Sequence, residues 1–529
     1  MASFDGLVIG AGHNGLTLAA YLTRAGLKIA VLERNAQIGG GCTTEEPTLP
    51  GYRFNLHSNF YMGFARTPMM RDLELYRFGF SFIEPPVQQA TTFRDGTCIV
   101  FHQDLDATCR SLSRFSPSDA ERFRELHHLY AVKLRPLMLS LRYNAPLPAA
   151  QLQERLTGPD AREFLSNAGH DIFGVVDKHF EHERIKTLFA GYLLSATAEN
   201  APGAGVLFPG MINSLGSYAL PVGGSHTFTA ALAKVVEAGG GAIVTGAEVK
   251  EIRVRGGRTT GIVLASGEFV EGRRCVASSI DAPATMRISG EQHYPQTVRE
   301  KLDNWNWGTH SAVTLHLALR NAPTYRSAAF DPDVNRAFNI HFGMDSVEDI
   351  VRSFEDCAED RFPQVLWGNG ACNSMIDPTY SPSDGHVAFW WPYAPYPVDG
   401  RPENWDERKG EYAARVLECW REFASNLDDD NIRARFLFTP LDNERLNVNM
   451  VRGAHRMGAT IPSQMGINRP HPLLAGTRTP IEGLYLCGSS TGNGGGINGA
   501  PGYIAANAIV DDLGLSRSWT PMPLPEWPH

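Results

Sequence analysis

A glycine-rich turn between two short apolar segments constrains this chain more than any other feature. Residues 7–9 are Leu-Val-Ile, and residues 10–15 read Gly-Ala-Gly-His-Asn-Gly. Apolar residues then recur at helical spacing as far as Gly26, and a second apolar run, residues 28–32, ends at Glu33. This order of strand, turn, helix and strand predicts a complete β-turn-α-β unit.

Each glycine of the turn, and the acidic residue after the second strand, has a physical reason to be there. Gly10 permits the tight turn, Gly12 lets the backbone approach a pyrophosphate, and Gly15 lets the helix pack closely on the strand. The helix N-terminus offers free N–H groups to phosphates, and Glu33 can accept hydrogen bonds from ribose hydroxyls. The sequence therefore predicts a dinucleotide site in preference to a purely structural glycine-rich turn.

A second glycine-rich segment indicates which dinucleotide is bound. Residues 33–44 read Glu-Arg-Asn-Ala-Gln-Ile-Gly-Gly-Gly-Cys-Thr-Thr, and a simple nicotinamide domain does not need these glycines. Here the sequence resembles the flavin-dependent amine oxidase and phytoene desaturase superfamily, in which such a segment wraps the diphosphate of FAD. The resemblance implies FAD, held tightly rather than exchanged like a nicotinamide.

The C-terminal part of the chain carries a further match. Residues 483–488 predict a buried strand that ends on glycine, residues 494–497 read Gly-Gly-Gly-Ile, and a helix is expected from about Pro501. In flavoproteins of this type, such a helix start points its N–H groups at the electron-rich end of the isoalloxazine. The two ends of the chain are therefore expected to meet over one flavin.

Within the superfamily, the chain is most similar to the branch of phytoene dehydrogenase-related and pyridine nucleotide-disulphide oxidoreductase-domain proteins. Residues 10–16 and the Arg-Gly-Ala-His-Arg-Met-Gly segment at 452–458 carry this resemblance. One departure is Asn493, where carotenoid desaturases usually have proline. The departure puts a carotenoid substrate in doubt.

These segments together predict an α/β fold. The FAD-binding domain is expected to be Rossmann-like, of the glutathione-reductase type, and to comprise residues 1–84, 221–284 and 451–529. A mainly helical substrate or lid subdomain is expected at 85–220, and an α+β substrate-binding domain at 285–450.

The turn chemistry and the resemblance together imply a set of cofactor contacts, in which Val249 offers its backbone to the adenine. The expected contacts are Gly10, Ala11, Gly12, Asn14, Gly15, Glu33, Arg34, Gly40, Gly41, Cys42, Thr43, Val249, Gly488, Gly495, Gly496 and Ile497.

The expected catalytic residues are His57 and Asn493. The chain of this superfamily passes the isoalloxazine near His57, whose imidazole can act as a general base at neutral pH, although a structural histidine is the alternative. Asn493, together with Asn498, is expected to place amides near the flavin. His455 is interpreted as a domain-packing residue.

An oxidising flavoenzyme must hold a substrate C–H bond close to flavin N5 and exclude water, and aromatic walls do this well. Core packing is the alternative for each aromatic candidate. The expected substrate contacts are Trp305, Trp307, Trp390, Trp391 and Tyr393.

Composition excludes several other classes of protein. The net charge is −9 and no concentrated basic patch is present, so no nucleic-acid partner is expected. The eight cysteines show no Cys-x-x-Cys spacing, which argues against a zinc ribbon or a disulfide framework, and no metal is expected. No secretory signal or apolar run of membrane-spanning length is visible, so a cytoplasmic protein is expected, with peripheral membrane contact left open.

The predicted function is FAD-dependent removal of a hydride from a C–H bond of a largely apolar or aromatic small molecule, by a dehydrogenase, desaturase or oxidase. The electron acceptor is expected to be oxygen or a quinone. Amine or alcohol oxidation and redox-neutral isomerisation are alternatives. A non-enzymatic carrier of prenylated proteins on the same scaffold is disfavoured by the intact cofactor glycines. The oligomeric state stays open.

Overall fold

The computed structural model describes residues 3–195, 199–492 and 494–526. The predicted catalytic residue Asn493 lies outside the described residues. Within these ranges the strands, numbered β1 to β20 in chain order, are Ser3–Ile9, Ile29–Leu32, Thr44–Glu45, Phe54–Asn55, Tyr61–Met62, Phe82–Ile83, Val87–Thr92, Cys98–His102, Tyr218–Pro221, Ala242–Val244, Val249–Arg255, Arg258–Leu264, Phe269–Ser278, Ser311–Ala312, Thr314–Leu319, Asn339–Phe342, Gly368–Ala371, His386–Ala394, Ile432–Phe438 and Leu484–Leu486.

The α-helices of the same ranges are numbered α1 to α17. They are His13–Arg24, Pro68–Asp72, Leu105–Ser113, Pro117–His127, Arg135–Tyr143, Ala149–Arg155, Pro159–Ser166, Ile172–His179, Glu183–Leu194, Phe208–Ser214, His226–Ala238, Ala282–Ser289, Gln296–Asp303, Val347–Ala358, Asn404–Phe423, Pro440–Leu446 and Ala500–Asp512. None of them combines the length and the apolar character needed to span a membrane.

The first sheet contains the predicted β-turn-α-β unit. Five strands run parallel in the order β10-β2-β1-β13-β20, and the hairpin β11-β12 joins β13 in antiparallel fashion. The carboxyl ends of β1, β2, β13 and β20 therefore meet at one edge. Open α/β sheets bind their ligands outside this edge.

Helix α1 lies between helices α11 and α17 on one face of this sheet. Its apolar residues, including Leu18 and Leu22, share one buried core with Phe228 and Leu232 of α11 and with Tyr503 of α17. Because α1 and α17 belong to opposite ends of the chain, the core joins the N- and C-terminal segments in one domain. The predicted α/β fold class is confirmed.

The second sheet has eight strands in the order β19-β15-β18-β17-β16-β7-β8, with β14 paired to β18. Its neighbouring strands are antiparallel except for β7 and β16. Helix α15 covers one face through Trp405, Tyr412 and Trp420. Helices of the 105–214 stretch pack around a separate core that contains Phe123, Phe189 and other buried apolar residues.

One predicted domain boundary is corrected by strand pairing. Strands β7 and β8 lie in the 85–220 stretch, which the sequence assigned to the helical subdomain, but they pair into the second sheet. Residues 87–102 therefore belong with the sheet of the 285–450 stretch. The pairing joins Gln89 to Asn339, which are far apart in sequence, and local patterns do not report such contacts. The other boundaries stay predictions.

Candidate active site

One cavity of about 670 Å³ lies between the two sheets and the helical core. It begins at the carboxyl ends of β1 and β2, where Ile9 and Leu32 line it, and continues to Asn339 and Asn369 of the second sheet. Its size falls within the range of about 300–1,000 Å³ typical of small-molecule and cofactor sites.

Gly10 and Gly12 of the first turn line the cavity, whereas Gly15 packs against the turn. A Cβ on Gly15 would lie 2.1 Å from the Gly10 carbonyl oxygen, so α1 can approach the turn this closely only with glycine there. Gly10 has a φ of +92°, and a Cβ on it would lie 2.5 Å from Ser279 Oγ. A Cβ on Gly12 would meet only Gly40 Cα, at 3.9 Å. Gly12 therefore leaves space that a ligand can use.

The N-terminus of α1 is open to the cavity. Gly12 is the N-cap, and no side chain caps the helix. Gly12, His13 and Asn14 line the cavity, so the N–H groups of the first turn are available to an anion there. Two buried polar atoms of these residues, His13 Nε2 and Asn14 Oδ1, have no hydrogen-bond partner among the described residues. Open N–H groups and unpaired polar atoms fit the diphosphate end of FAD.

Glu33 is buried at the end of β2, with 7% of its surface exposed. Its Oε2 accepts a hydrogen bond from the Ala11 N–H at 2.9 Å, and its Oε1 accepts one from the Asn35 N–H at 2.9 Å. A carboxylate has about four acceptor positions, so two remain for ribose hydroxyls on the side that lines the cavity.

The second glycine segment lies directly against the first. Gly40 has a φ of +58°, and a Cβ on it would lie 3.1 Å from Gly12 Cα. Gly41 faces Met450, whose Cε would lie 3.2 Å from a Cβ at that position. Both glycines line the cavity next to the open end of α1. The two predicted glycine segments thus form one surface.

The C-terminal glycine loop reaches the same place from the other end of the chain. Asn14 Nδ2 donates a hydrogen bond to Ser489 Oγ at 3.2 Å, and a Cβ on Gly502 would lie 2.2 Å from the Asn14 carbonyl oxygen. Gly496 and Ile497 line the cavity. The predicted meeting of the two chain ends is therefore confirmed by direct contacts.

The start of the last helix differs from the expectation. Helix α17 begins at Ala500, whose N–H donates to Asn498 Oδ1 at 2.9 Å, and neither residue lines the cavity. The Asn498 amide is bound within the loop, because its Nδ2 also donates to the Gly495 carbonyl oxygen at 3.3 Å. The loop before the helix, not the helix terminus, faces the cavity.

The expected cofactor contacts divide into two groups. The residues that line the cavity are Gly10, Gly12, Asn14, Glu33, Arg34, Gly40, Gly41, Val249, Gly496 and Ile497. The residues that do not line it are Ala11, Gly15, Cys42, Thr43, Gly488 and Gly495.

The second group has structural reasons for its position. Cys42 is fully buried beside Tyr61, and burial raises the pKa of its thiol to about 12. A Cβ on Gly488 would lie 2.6 Å from the Ser279 carbonyl oxygen, so this glycine permits close packing of backbone. The pattern of glycines predicted which segments form the cavity surface. It did not distinguish the residues that line the cavity from those that pack behind it.

His57 lines the cavity beside Gly41 and next to His455. Burial and the nearby His455 lower the pKa of His57 to about 3, and burial lowers that of His455 to about 4. Both imidazoles are therefore neutral at neutral pH. The buried His57 Nε2 has no hydrogen-bond partner among the described residues, and the general-base role of His57 stays a prediction.

The expected aromatic substrate wall is only partly present. Trp391 and Tyr393 line the cavity. Trp390 points to the opposite face of β18, where it stacks on Phe342 with ring centroids 4.3 Å apart. The substrate role predicted for Trp390 is wrong because successive side chains of a strand point to opposite faces.

The predicted substrate role of the pair Trp305 and Trp307 is also wrong. Trp305 is buried in the core beneath the first sheet, and Trp307 packs against this core. The Trp305 indole N–H donates to the Met457 carbonyl oxygen at 3.1 Å. Trp305 therefore holds the 452–460 segment against the core beneath the first sheet.

Several cavity residues had no predicted role. They include Arg142, Tyr192, Tyr218, Asn339, Asn369 and Arg456. Asn369 Nδ2 donates to Asn339 Oδ1 at 3.0 Å, which makes a polar wall on the second sheet. Arg456 lies in the 452–458 segment that carried the resemblance, but the motif gave no sign of which way its guanidinium would face.

Comparison with known proteins agrees with this geometry. The profile of the family "Flavin containing amine oxidoreductase" matches residues 15–510. A limonene dehydrogenase chain of Castellaniella defragrans is 32% identical, over 98% of this chain and 96% of that protein. Pyridine nucleotide-disulfide oxidoreductase domain-containing protein 2 of Rattus norvegicus is 30% identical, over 96% of this chain and 94% of that protein.

Solved structures share the fold. Putrescine oxidase, in its wild-type form bound to putrescine, has a TM-score of 0.61 at 13% identity, over 97% of this chain and 99% of that one. Cyclohexylamine oxidase from Brevibacterium oxydans has a TM-score of 0.57 at 15% identity, over 97% of this chain and 100% of that one. The chain therefore belongs to the flavin-containing amine oxidoreductase family and is an FAD-dependent oxidoreductase.

Proposed function

We propose that this protein is an FAD-dependent dehydrogenase that removes a hydride from a C–H bond of a largely apolar small molecule. The observation that carries the proposal is the continuity of the cavity. One end is lined by Gly12, Gly40 and Glu33, and the other by Trp391 and Tyr393. When bound, FAD supplies the hydride acceptor.

In this proposal the first end holds the cofactor. The open N-terminus of α1 and Gly40 take the diphosphate, Glu33 takes ribose hydroxyls, and the backbone of Val249 lies beside the adenine. Gly496 and Ile497 line the same cavity, which supports their position against the flavin ring. His57 lies between the second glycine segment and Phe438 and contributes a neutral imidazole.

The second end binds the substrate. Its lining includes the apolar side chains of Phe60, Met62, Leu193, Leu207 and Met211. Such a wall excludes water from the path of the hydride and orients a hydrocarbon by contact rather than by hydrogen bonds. These residues support an apolar body for the substrate.

Relatives favour C–H oxidation within the family's chemistry. At 32% identity, one relative is named a limonene dehydrogenase, and hydroxyneurosporene desaturase of Cereibacter sphaeroides is 26% identical over 97% of this chain. The amine oxidases are similar in fold at 13–15% identity. We therefore place dehydrogenation or desaturation before amine or alcohol oxidation and before redox-neutral isomerisation. Oxygen or a quinone is the proposed acceptor.

The test uses the flavin-loaded protein with limonene as the first probe. Under anaerobic conditions, we expect limonene or a related terpene to bleach the absorbance of the oxidised flavin. Peroxide release in air would then identify oxygen as the acceptor, whereas reduction of a soluble quinone without peroxide would identify a quinone. Bleaching by amines or alcohols, with none by hydrocarbons, would contradict the proposal.

A further inference from the structure

We propose that Arg456 and Arg142 form an anion site in the substrate part of the cavity, and that the natural substrate is an apolar carboxylic acid whose carboxylate binds there. This inference rests on the proposed function and narrows its substrate class. It is carried by the position of two guanidinium groups that lack a partner.

Both arginines line the cavity. Within residues 3–195, 199–492 and 494–526, neither guanidinium forms an ion pair with a carboxylate or donates a hydrogen bond. Other arginines are paired: Arg94 and Arg184, for example, both bind Asp345 at 2.9–3.0 Å. Arg287 also lines the cavity, but it lies near the carboxylate of Asp281, whereas no carboxylate of the described residues acts on Arg456.

The two arginines are close enough to affect each other. Burial and the nearby positive charge of Arg142 both lower the pKa of Arg456. The hydroxyl groups of Tyr393 and Tyr218, the His455 imidazole and the Arg469 guanidinium also lie near it. Arg142 also lies near Arg66, which has the carboxylate of Glu84 beside it as well. Holding like charges beside one another away from bulk water costs free energy, and an anion between them offsets that cost.

The site lies at the junction of cofactor and substrate regions. A Cβ on Gly495 would lie 3.3 Å from Arg456 Cδ, so the stem of this arginine packs on the C-terminal glycine loop. Its neighbours Tyr218 and Tyr393 both line the cavity. An anion held here would place its attached chain against the apolar wall formed by residues such as Leu193 and Met211.

A carboxylate suits this site better than a second phosphate group. Guanidinium groups bind carboxylates through paired, planar hydrogen bonds. The diphosphate of FAD already has a site at Gly12 and Gly40, where a helix N-terminus is open. Arg456 instead adjoins Gly495, on the C-terminal loop.

The experiment measures binding by calorimetry to the flavin-loaded protein, so it does not depend on turnover. The probes are octanoate, 1-octanol and inorganic phosphate, at a pH where octanoate is ionised. The variants are Arg456→Gln, Arg142→Gln and Arg456→Lys, with Arg110→Gln as the control because Arg110 is an exposed arginine of α3.

We expect octanoate to bind at least about tenfold more tightly than 1-octanol. Arg456→Gln and Arg142→Gln should each lower the affinity for octanoate about tenfold. Both variants should leave the affinity for 1-octanol and the flavin content unchanged. Arg456→Lys should recover part of the loss, and Arg110→Gln should change nothing.

Three results would overturn the proposal: equal affinity for octanoate and 1-octanol in the unaltered protein, phosphate binding as tight as octanoate binding, or loss of flavin from Arg456→Gln. The last result would assign the arginine to the cofactor instead. If Arg456→Gln does not fold, two measurements still test the anion site. They are the comparison of octanoate with 1-octanol on the unaltered protein and the octanoate affinity of Arg142→Gln. Failure of hydride transfer with every substrate would count against the proposed function without affecting these binding data.

Discussion

At the scale of single residues, neighbouring glycines of one motif have different roles. Gly15 is required by the protein itself, because a Cβ there would lie 2.1 Å from the Gly10 carbonyl oxygen. Gly12 has a φ of −74°, which any residue can adopt, and a Cβ on it would meet nothing closer than 3.9 Å. The protein alone does not need a glycine at position 12, but a ligand against the turn does.

Substitution separates these two roles. We expect Gly12→Leu to fold with a melting temperature close to that of the unaltered apoprotein and to lose FAD, because the side chain fills the space of the diphosphate. Gly15→Ala should destabilise the protein by about 1–3 kcal/mol through overpacking. Flavin absorbance per protein and thermal unfolding of the apoproteins measure both effects. Full flavin content in Gly12→Leu would contradict the position assigned to the diphosphate.

Arg469 is a second residue whose role is visible only in three dimensions. It is 3% exposed and donates hydrogen bonds to the carbonyl oxygens of Ser489, Ala459, Gln464, Arg456 and Met457. These carbonyls belong to the 452–464 segment and to the C-terminal flavin loop. Arg469 therefore holds together the two segments that carry Arg456 and Gly496.

Replacing Arg469 by methionine should leave these carbonyl oxygens without partners. Each unsatisfied buried group costs about 1–3 kcal/mol, so we expect a loss of at least about 3 kcal/mol in the free energy of unfolding and weaker retention of FAD. Denaturant unfolding and flavin content measure the two effects. Arg110→Gln, at an exposed position, is the control and should be neutral. A methionine variant as stable as the unaltered protein would show that the carbonyls find other partners.

At the scale of elements, strand β18 divides its aromatic residues between two environments. Trp391 and Tyr393 face the cavity, whereas Trp390 lies on the other face between Phe342 and Trp420. The sequence Trp-Trp-Pro-Tyr places them side by side, and only the two-residue period of the strand separates them. The element thus lines the cavity with one face and packs into a hydrophobic core with the other.

This division predicts opposite outcomes for two adjacent substitutions. Trp390→Ala should cost about 3–5 kcal/mol of stability, because it opens a hole in a fully buried core. Trp391→Ala should cost less stability and weaken binding of an apolar ligand such as 1-octanol. Chemical denaturation and calorimetry compare the two variants directly. Similar stability losses with no change in ligand affinity would contradict the assignment of Trp391 to the cavity.

At the scale of the whole molecule, the described structure buries many neutral histidines. Burial is the main reason that the pKa of each is lowered to about 3 or 4. The histidines in this group are His13, His57, His179, His310, His316, His341 and His455. In the unfolded chain each returns to an ordinary pKa near 6.5.

This difference predicts sensitivity to acid. The folded protein resists protonation of these histidines, whereas the unfolded chain takes up protons as the pH falls below about 6.5. Stability is therefore complete above that pH and decreases towards pH 4. Denaturant unfolding measured from pH 8 to 5 should show this decrease. A flat profile would contradict the buried, neutral state of these histidines.

Replacing His316 tests most directly whether buried histidines cause the loss of stability in acid. Both of its ring nitrogens are buried without a hydrogen-bond partner, and its ring packs edge-on against Phe54 with centroids 4.9 Å apart. His316→Phe should reduce the loss of stability between pH 6.5 and pH 5. The exposed His128 provides the control, and His128→Gln should leave the pH profile as it is.

Much of the cofactor end could be predicted from the sequence, because its geometry is set by local rules. A tight turn, a close approach of backbone and an uncapped helix start each require particular residues within a few positions, so Gly10, Gly12, Gly15 and Glu33 are visible in the linear chain. The resemblance to the flavoprotein superfamily, not a local rule, indicated the C-terminal loop, of which Gly496 and Ile497 line the same cavity.

The substrate end was decided by the tertiary structure. Whether a tryptophan faces a cavity or a core depends on strand register and on partners far away in sequence, as for Trp390 and Trp305. The same holds for Arg456, whose unpaired guanidinium follows from the absence of a carboxylate around it in the described residues, not from its own motif. The amino-acid sequence by itself therefore determined the fold class and the glycine turn through local backbone constraints, and its resemblance to a flavoprotein superfamily indicated FAD. Long-range packing decided which side chains line the rest of the cavity.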